Sequence, residues 1–288
     1  MACYSPLKGY RAAEKGPNGK RGIVFNPKFG LVDMPVSVAC GQCIGCRLEK
    51  SRQWAIRCLH ESKMHENNCF ITLTYDEEHL PEDGSLNLPD FQKFMKRYRK
   101  AIGIPIRFFH CGEYGDKTKR PHYHALIFGH DFCDKELWSR RNGEDLYVSP
   151  TLERLWPFGF STIGQVTFES AAYVARYVMK KVTGPLAIHE YCEVDWTTGE
   201  ILSERKPEYT TMSRRPGIGS SWFQKWSKDV YPSDEIIING KQVKPPKFYD
   251  SQFEIMNSDQ YQLVRKKRKA DALRHKDNNT PERRRVRD

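Results

Sequence analysis

The sequence predicts an α+β domain, a central antiparallel β-sheet flanked by helices. Two observations carry that expectation. Segments of strand and helix character follow one another in the order strand, helix, hairpin, strand, helix, with no internal repeat. The composition, 39% hydrophobic and 29% charged over 288 residues, is that of a globular chain with a polar surface.

Residues 1–39 are rich in Gly, Pro and Lys, show no sustained period, and read as a mostly irregular arm. A helix is expected over residues 47–65, where Leu48, Trp54, Ala55, Cys58 and Leu59 supply a partial apolar stripe. Residues 70–75, Phe-Ile-Thr-Leu-Thr-Tyr, form a strand by composition and length. The next helix carries Pro89 in its first turn, and Phe91, Phe94, Met95, Tyr98 and Ile102 recur at helical spacing. A hairpin follows: residues 104–113 as one strand, the polar stretch 115–120 as the turn, and residues 121–129 as the return. Another strand lies near 160–166. A helix opens at Ser170 as N-cap and stops before Gly184-Pro185. Beyond it are expected a hairpin around Thr197-Thr198-Gly199, a short helix after Ser220, a second hairpin turning at Asn239-Gly240, and a final helix over 258–275. The division that follows is an arm with a Cys cluster and helix (1–66), a core (67–184), an extension of hairpins and a short helix (185–257), and a basic helix and tail (258–288).

Charge narrows the partners. Lys and Arg number 47 against 36 Asp and Glu, and residues 265–288 alone hold a net +7. A basic end of this kind favours nucleic acid, because phosphate contacts release condensed counterions. No apolar run reaches the eighteen residues a membrane span needs, and the N-terminus lacks the apolar core of a secretory signal. A cytoplasmic protein is expected. Nine cysteines, an odd number, point to free thiols or a metal site rather than a disulfide framework.

Two segments carry chemistry. In Pro121-His122-Tyr123-His124-Ala125-Leu126-Ile127-Phe128, strand alternation turns His122 and His124 to one face, about 7 Å apart. A symmetric turn would set Glu113 opposite His122 on that face. Two imidazoles and a carboxylate suit Mg2+ or Mn2+ acting on phosphate, and do not exclude Zn2+. Along residues 170–182, Ala171, Val174, Ala175, Val178 and Val182 make a buried stripe, while Tyr173, Tyr177 and Lys181 line another face. A phenol with a pKa of about 10 needs help to act as a nucleophile, which Lys181 or a metal-bound phosphate would give. Each segment read alone also fits a structural role.

His122-Tyr123-His124 followed by Tyr173-x-x-x-Tyr177 resembles the HUH endonucleases, rolling-circle replication initiators. The chain is similar in particular to the initiators of gokushovirus-type microviruses, over 40–61, 70–81, 111–129, 173–181 and 212–219. The resemblance implies an HUH-like fold and His122 and His124 as metal ligands, with Tyr173 and Tyr177 as nucleophile candidates. It further implies a nick at a phage origin of single-stranded DNA, a 5′-phosphotyrosine intermediate and a free 3′-OH for host polymerase. The setting would be the host bacterial cytoplasm. No ATP-binding P-loop occurs, so a helicase would come from the host.

Two further groups stand apart. Cys40, Cys43 and Cys46 have ligand spacing, with Lys50 where an iron–sulfur run would place its fourth Cys. Cys3, or Cys58 as a rival, would complete a structural Zn2+ site. Arg214 and Arg215, with Trp222 after them, suit single-stranded DNA through phosphate contacts and base stacking. The competing functions are a non-catalytic single-stranded nucleic-acid binder, in which the histidines are structural, and a metallohydrolase barrel. The strand–helix units that such a barrel needs are missing here.

Overall fold

The computed structural model describes residues 3–17, 19, 21–115, 118–141, 143–177, 187–195 and 197–274. The chain divides into two compact units, Met1–Lys50 with Asp259–Asp288, and Ser51–Ser258.

In chain order the strands and helices are β1 (Leu7–Lys15), β2 (Arg21–Val24), β3 (Gly30–Val38), α1 (Ile44–Ser62), β4 (Asn68–Thr74), α2 (Leu88–Ile102), β5 (Arg107–Tyr114) and β6 (Pro121–Phe128). There follow β7 (Glu136–Arg141), β8 (Glu144–Val148), α3 (Pro150–Leu155), β9 (Ser161–Gly164), α4 (Phe168–Tyr177), α5 (Ala187–Tyr191), β10 (Cys192–Val194) and β11 (Ile201–Glu204). The last are β12 (Tyr209–Met212), α6 (Ser220–Val230), β13 (Ile236–Ile238), β14 (Lys241–Val243), α7 (Lys247–Met256) and α8 (Ser258–Arg274). None of these helices is long and apolar enough to cross a membrane.

The larger unit is built on a seven-stranded sheet in the order β12-β5-β6-β4-β9-β8-β7, antiparallel at every pairing. Alternation along the strands sorts side chains into two cores. On one face, Ile71, Leu73, Tyr123 and Ile127 pack with Phe91, Phe94 and Tyr98 of α2 and with Leu152 of α3. On the other, Phe109, Cys111, Leu126 and Phe128 meet Ala55 and Cys58 of α1, Ala171, Val174 and Ala175 of α4, and Ile218. Fully burying one such large side chain contributes about 1.5–3 kcal/mol, so the sheet is fixed from both sides. The expected α+β fold is the observed one.

Local signals explain most boundaries. Pro89 lies in the first turn of α2, and Gly103 closes that helix with φ 66°, the left-handed conformation glycine tolerates best. Asn239 (φ 49°) and Gly240 (φ 74°) turn β13 into β14, as a two-residue hairpin with both central residues at positive φ requires. The β10–β11 hairpin, the helix from Ser220 and the helix from Ser258 stand where the sequence placed them. Gly219, before α6, holds φ 78°, and a Cβ there would lie 2.6 Å from the Tyr249 hydroxyl.

Three expectations change. Residues 1–39 are not irregular: β2-β1-β3 form an antiparallel sheet with Leu7 paired to Val38 and a register shift after Tyr10. Its side chains are exposed or half-exposed on both faces, Gly9 excepted, so no polar–apolar alternation reaches the sequence. The helix expected from Ser170 starts at Phe168. Thr167 is its cap: Ser170 N donates to Thr167 Oγ1 at 3.1 Å and Thr167 N donates to Ser170 Oγ at 2.8 Å, a reciprocal capping box with serine in the glutamate's place. The predicted end of this helix, at Gly184-Pro185, lies outside the described residues. The β7–β8 hairpin, which carries the sheet to its far edge, has no counterpart among the elements expected from sequence.

Candidate metal and tyrosine site

The β5–β6 hairpin sets the site. Gly115 N donates to Arg120 O at 3.0 Å and closes the turn. The register then pairs Glu113 with His122 and Cys111 with His124. Glu113, His122 and His124 all face the α4 side of the sheet. Nε2 of His122 lies 3.0 Å from Glu113 Oε1, and Nε2 of His124 lies 2.7 Å from the same oxygen. Glu113 is 1% exposed and His124 5%, so this carboxylate is charged only because of its neighbours. Burial raises its pKa, but hydrogen bonds and charge interactions with His122 and His124 outweigh that and hold it below the ordinary value.

The outer nitrogens are held as well. His122 Nδ1 lies 3.0 Å from Arg120 O. A carbonyl only accepts, so Nδ1 carries the proton and Nε2 is left to act as a ligand. His124 Nδ1 lies 2.9 Å from Thr72 Oγ1. A hydroxyl can donate or accept, so Thr72 satisfies either tautomer of His124. Phe70 lies parallel to the His124 ring at 5.5 Å and 13°. Ligand atoms from Glu113, His122 and His124 all fall within 4.8 Å of one another. The two Nε2–Oε1 distances match the separation of about 3 Å that adjacent ligands adopt around an ion with bonds of about 2.1 Å. The group can hold a divalent metal.

Helix α4 packs against β5 and β6 and brings Tyr173 over this group. The Tyr173 hydroxyl donates to Glu113 Oε1 at 3.2 Å, and its ring meets His124 edge-on at 5.1 Å. It is also 36% exposed. A cavity of about 590 Å³ opens beside His124 and Tyr173, with Phe70, Gln165, Ser170 and Arg176 in its wall. Arg176, in the last turn of α4, is an exposed cation at its rim. Tyr177 ends α4, and its side chain lies outside the described set, as does Lys181 altogether.

Other predicted residues fall elsewhere. Ser213 N donates to Phe108 O, so Arg214 and Arg215, both exposed, leave the sheet at the end of β5 remote from Glu113. Five residues of strand separate Phe108 from Glu113, about 17 Å. Trp222 stacks on His60 at 3.4 Å and lies 5.9 Å from Tyr249, so one face of its indole is already covered. Cys3, Cys40, Cys43 and Cys46 do converge, with sulfur atoms within 4.8 Å. The rival, Cys58, is buried in the core with Phe109 and Ile218.

Sequence reasoning missed Thr72 and Phe70 as site residues. Alternation in β4 places them on one face, but only the pairing of Thr72 with His124 shows that it is the histidines' face. Sequence separation hid that contact.

The fold and this site together define a class: an α+β protein with a strand-borne His/His/Glu group facing a helix-borne phenol. Comparison with known proteins carries this further. Residues 68–182, which span the whole site, match the family model of the replication-associated protein ORF2. The chain is 36% identical to the replication-associated protein VP4 of Bdellovibrio phage phiMH2K, over 86% of this chain and 76% of that one. It is 34% identical to the replication-associated protein ORF2 of Spiroplasma virus 4, over 95% and 88%. With the replication-associated protein ORF4 of Chlamydia phage 1 it shares 30% identity over 73% of this chain and 52% of that one. The chain belongs to this family of viral replication-associated proteins. No solved structure matches it.

Proposed function

We propose that this protein initiates replication of a single-stranded DNA phage by cutting and rejoining one strand through a tyrosine-linked intermediate. The observation that carries the reading is the Tyr173 hydroxyl, 3.2 Å from the carboxylate oxygen that both histidines also approach. A phenol in that position is within reach of any phosphate drawn to the group. Glu113, His122 and His124 would hold Mg2+ or Mn2+. The ion, when bound, would neutralise phosphate charge and favour in-line displacement.

The residues of this chain then divide the work. Tyr173 Oη attacks the phosphorus, forming the O–P bond as the P–O3′ bond breaks. The phenol proton leaves, and the released 3′ oxygen gains one as a hydroxyl. The product is a 5′-phosphotyrosine that keeps the bond energy for rejoining and leaves a 3′-OH for host polymerase. Tyr177, one turn on, is the candidate second nucleophile, and Lys181 a helper for phosphate or phenolate. Arg176 at the cavity rim would meet the incoming backbone. Host helicase and a bacterial cytoplasm complete the setting.

The test is covalent attachment. Purified protein with Mn2+ and a labelled pool of random single strands should give a DNA-linked species, and peptide mapping should find the label on Tyr173 or Tyr177. Tyr173→Phe with Tyr177→Phe should abolish it. An adduct that persists in the double variant sinks the tyrosine assignment. No adduct and no cleavage with any metal, together with binding that survives His122→Ala and His124→Ala, would make the protein a non-catalytic binder.

A further inference from the structure

The four convergent thiols lie in the unit formed by Met1–Lys50 and Asp259–Asp288, and their geometry is that of a tetrahedral metal cage. All four cysteines are free of disulfides. Zn–S bonds of about 2.3 Å in a tetrahedron separate sulfurs by about 3.8 Å. The Cys3 and Cys43 sulfurs stand 3.9 Å apart. Backbone amides aim at the sulfurs: Cys40 N donates to Cys3 Sγ, Cys43 N to Cys40 Sγ and Tyr4 N to Cys43 Sγ, each at 3.3 Å. Such donors stabilise thiolates over thiols. Cys43 and Cys46 also sit at the start of α1, where the helix dipole favours negative charge.

The position of the cage matters as much as its shape. Cys3 precedes β1 and Cys40 follows β3, and these two strands close on each other at Leu7 and Val38. The cage therefore gathers both ends of the small sheet and the first turn of α1 at one point. Within the described residues of β1, β2 and β3, only Gly9 is buried. A sheet this thin has almost no apolar core to hold it, the circumstance in which small modules depend on a metal or a disulfide.

We infer that Cys3, Cys40, Cys43 and Cys46 bind one structural zinc ion, and that β1–β3 fold around it. The site is closed, with four protein ligands and no place for substrate, so it takes no part in strand transfer. This inference is independent of the proposed nuclease activity.

The experiment uses the full chain purified without chelator. Elemental analysis should find one zinc per chain beyond any ion removable by His122→Ala with His124→Ala. Cobalt replacement should give the intense thiolate-to-metal bands of a four-sulfur site, and X-ray absorption should show sulfur neighbours only, at about 2.3 Å. Cys3→Ser and Cys43→Ser should lose the ion, while Cys58→Ser and Cys192→Ser keep it. Chelation should open residues 7–38 to protease before the Ser51–Ser258 unit is cut. If the Cys3→Ser chain fails to fold, the cobalt and absorption spectra of the unaltered chain decide alone. Iron in place of zinc, nitrogen in the coordination shell, or full zinc content in a folded Cys3→Ser chain would overturn the inference.

Discussion

Thr72 offers a test of the metal-site reading that leaves every proposed ligand and nucleophile in place. When His124 gives Nε2 to a metal, its proton must sit on Nδ1, and the acceptor waiting there is Thr72 Oγ1 at 2.9 Å. Thr72→Val keeps the shape of the side chain and the preference for a strand, but sets a methyl against that N–H. A buried donor left without an acceptor costs about 1–3 kcal/mol. Partners of this kind, when removed, weaken metal binding by about 10–100-fold. The assay is Mn2+ dependence of covalent attachment to a labelled strand. The half-saturating Mn2+ concentration should rise by about tenfold to a hundredfold, while the rate at saturating Mn2+ stays within about threefold. Thr72→Ser, which restores the hydroxyl, should recover most of the affinity. An unchanged Mn2+ requirement in a folded Thr72→Val protein would refute the argument that His124 binds through Nε2.

Two further predictions separate fold from chemistry. Tyr123, between the two histidines, points to the opposite face, where its hydroxyl lies 2.8 Å from Tyr75 OH, accepts from Asn87 N at 2.8 Å and donates to Asn87 O at 3.0 Å. Tyr123→Phe should therefore lower stability by about 1–3 kcal/mol in urea melts, yet leave metal dependence alone at temperatures where the protein stays folded. Glu61 is buried, which raises its pKa, but hydrogen bonds from His65 and Gly219 N and the Arg107 charge bring it below the ordinary value. Its contribution is present above the unfolded carboxylate pKa, about 4.3, and fades as pH falls through the lower folded value. Thermal melts of the unaltered protein should drop along that acid limb, and Glu61→Gln, less stable at neutral pH, should show a flatter one.

The sequence by itself determined the parts whose partners are close in the chain. The β5–β6 hairpin pairs residues across a short turn, so strand alternation was enough to place His122, His124 and Glu113 on one face. Helix α4 showed its buried Ala171, Val174 and Ala175 stripe because one face packs while the other does not. The β13–β14 turn was legible from Asn239-Gly240, since few other residues accept positive φ. The small sheet of residues 7–38 was not legible, because a strand exposed on both faces leaves no alternating pattern.

Only the tertiary structure decided which distant pieces share a site. Alternation says that Phe70 and Thr72 share a face, but which strand lies alongside is settled by long-range packing of β4 between β6 and β9. Tyr173 reaches Glu113 across 60 residues because α4 buries its stripe on β5 and β6, a contact set by two complementary apolar surfaces rather than by any local signal. In the same way Cys3 joins Cys40, Cys43 and Cys46 because β1 pairs with β3, and Cys58 is excluded because its own turn of α1 faces the core. Local periodicity records which way a side chain points. What it points at depends on the rest of the chain.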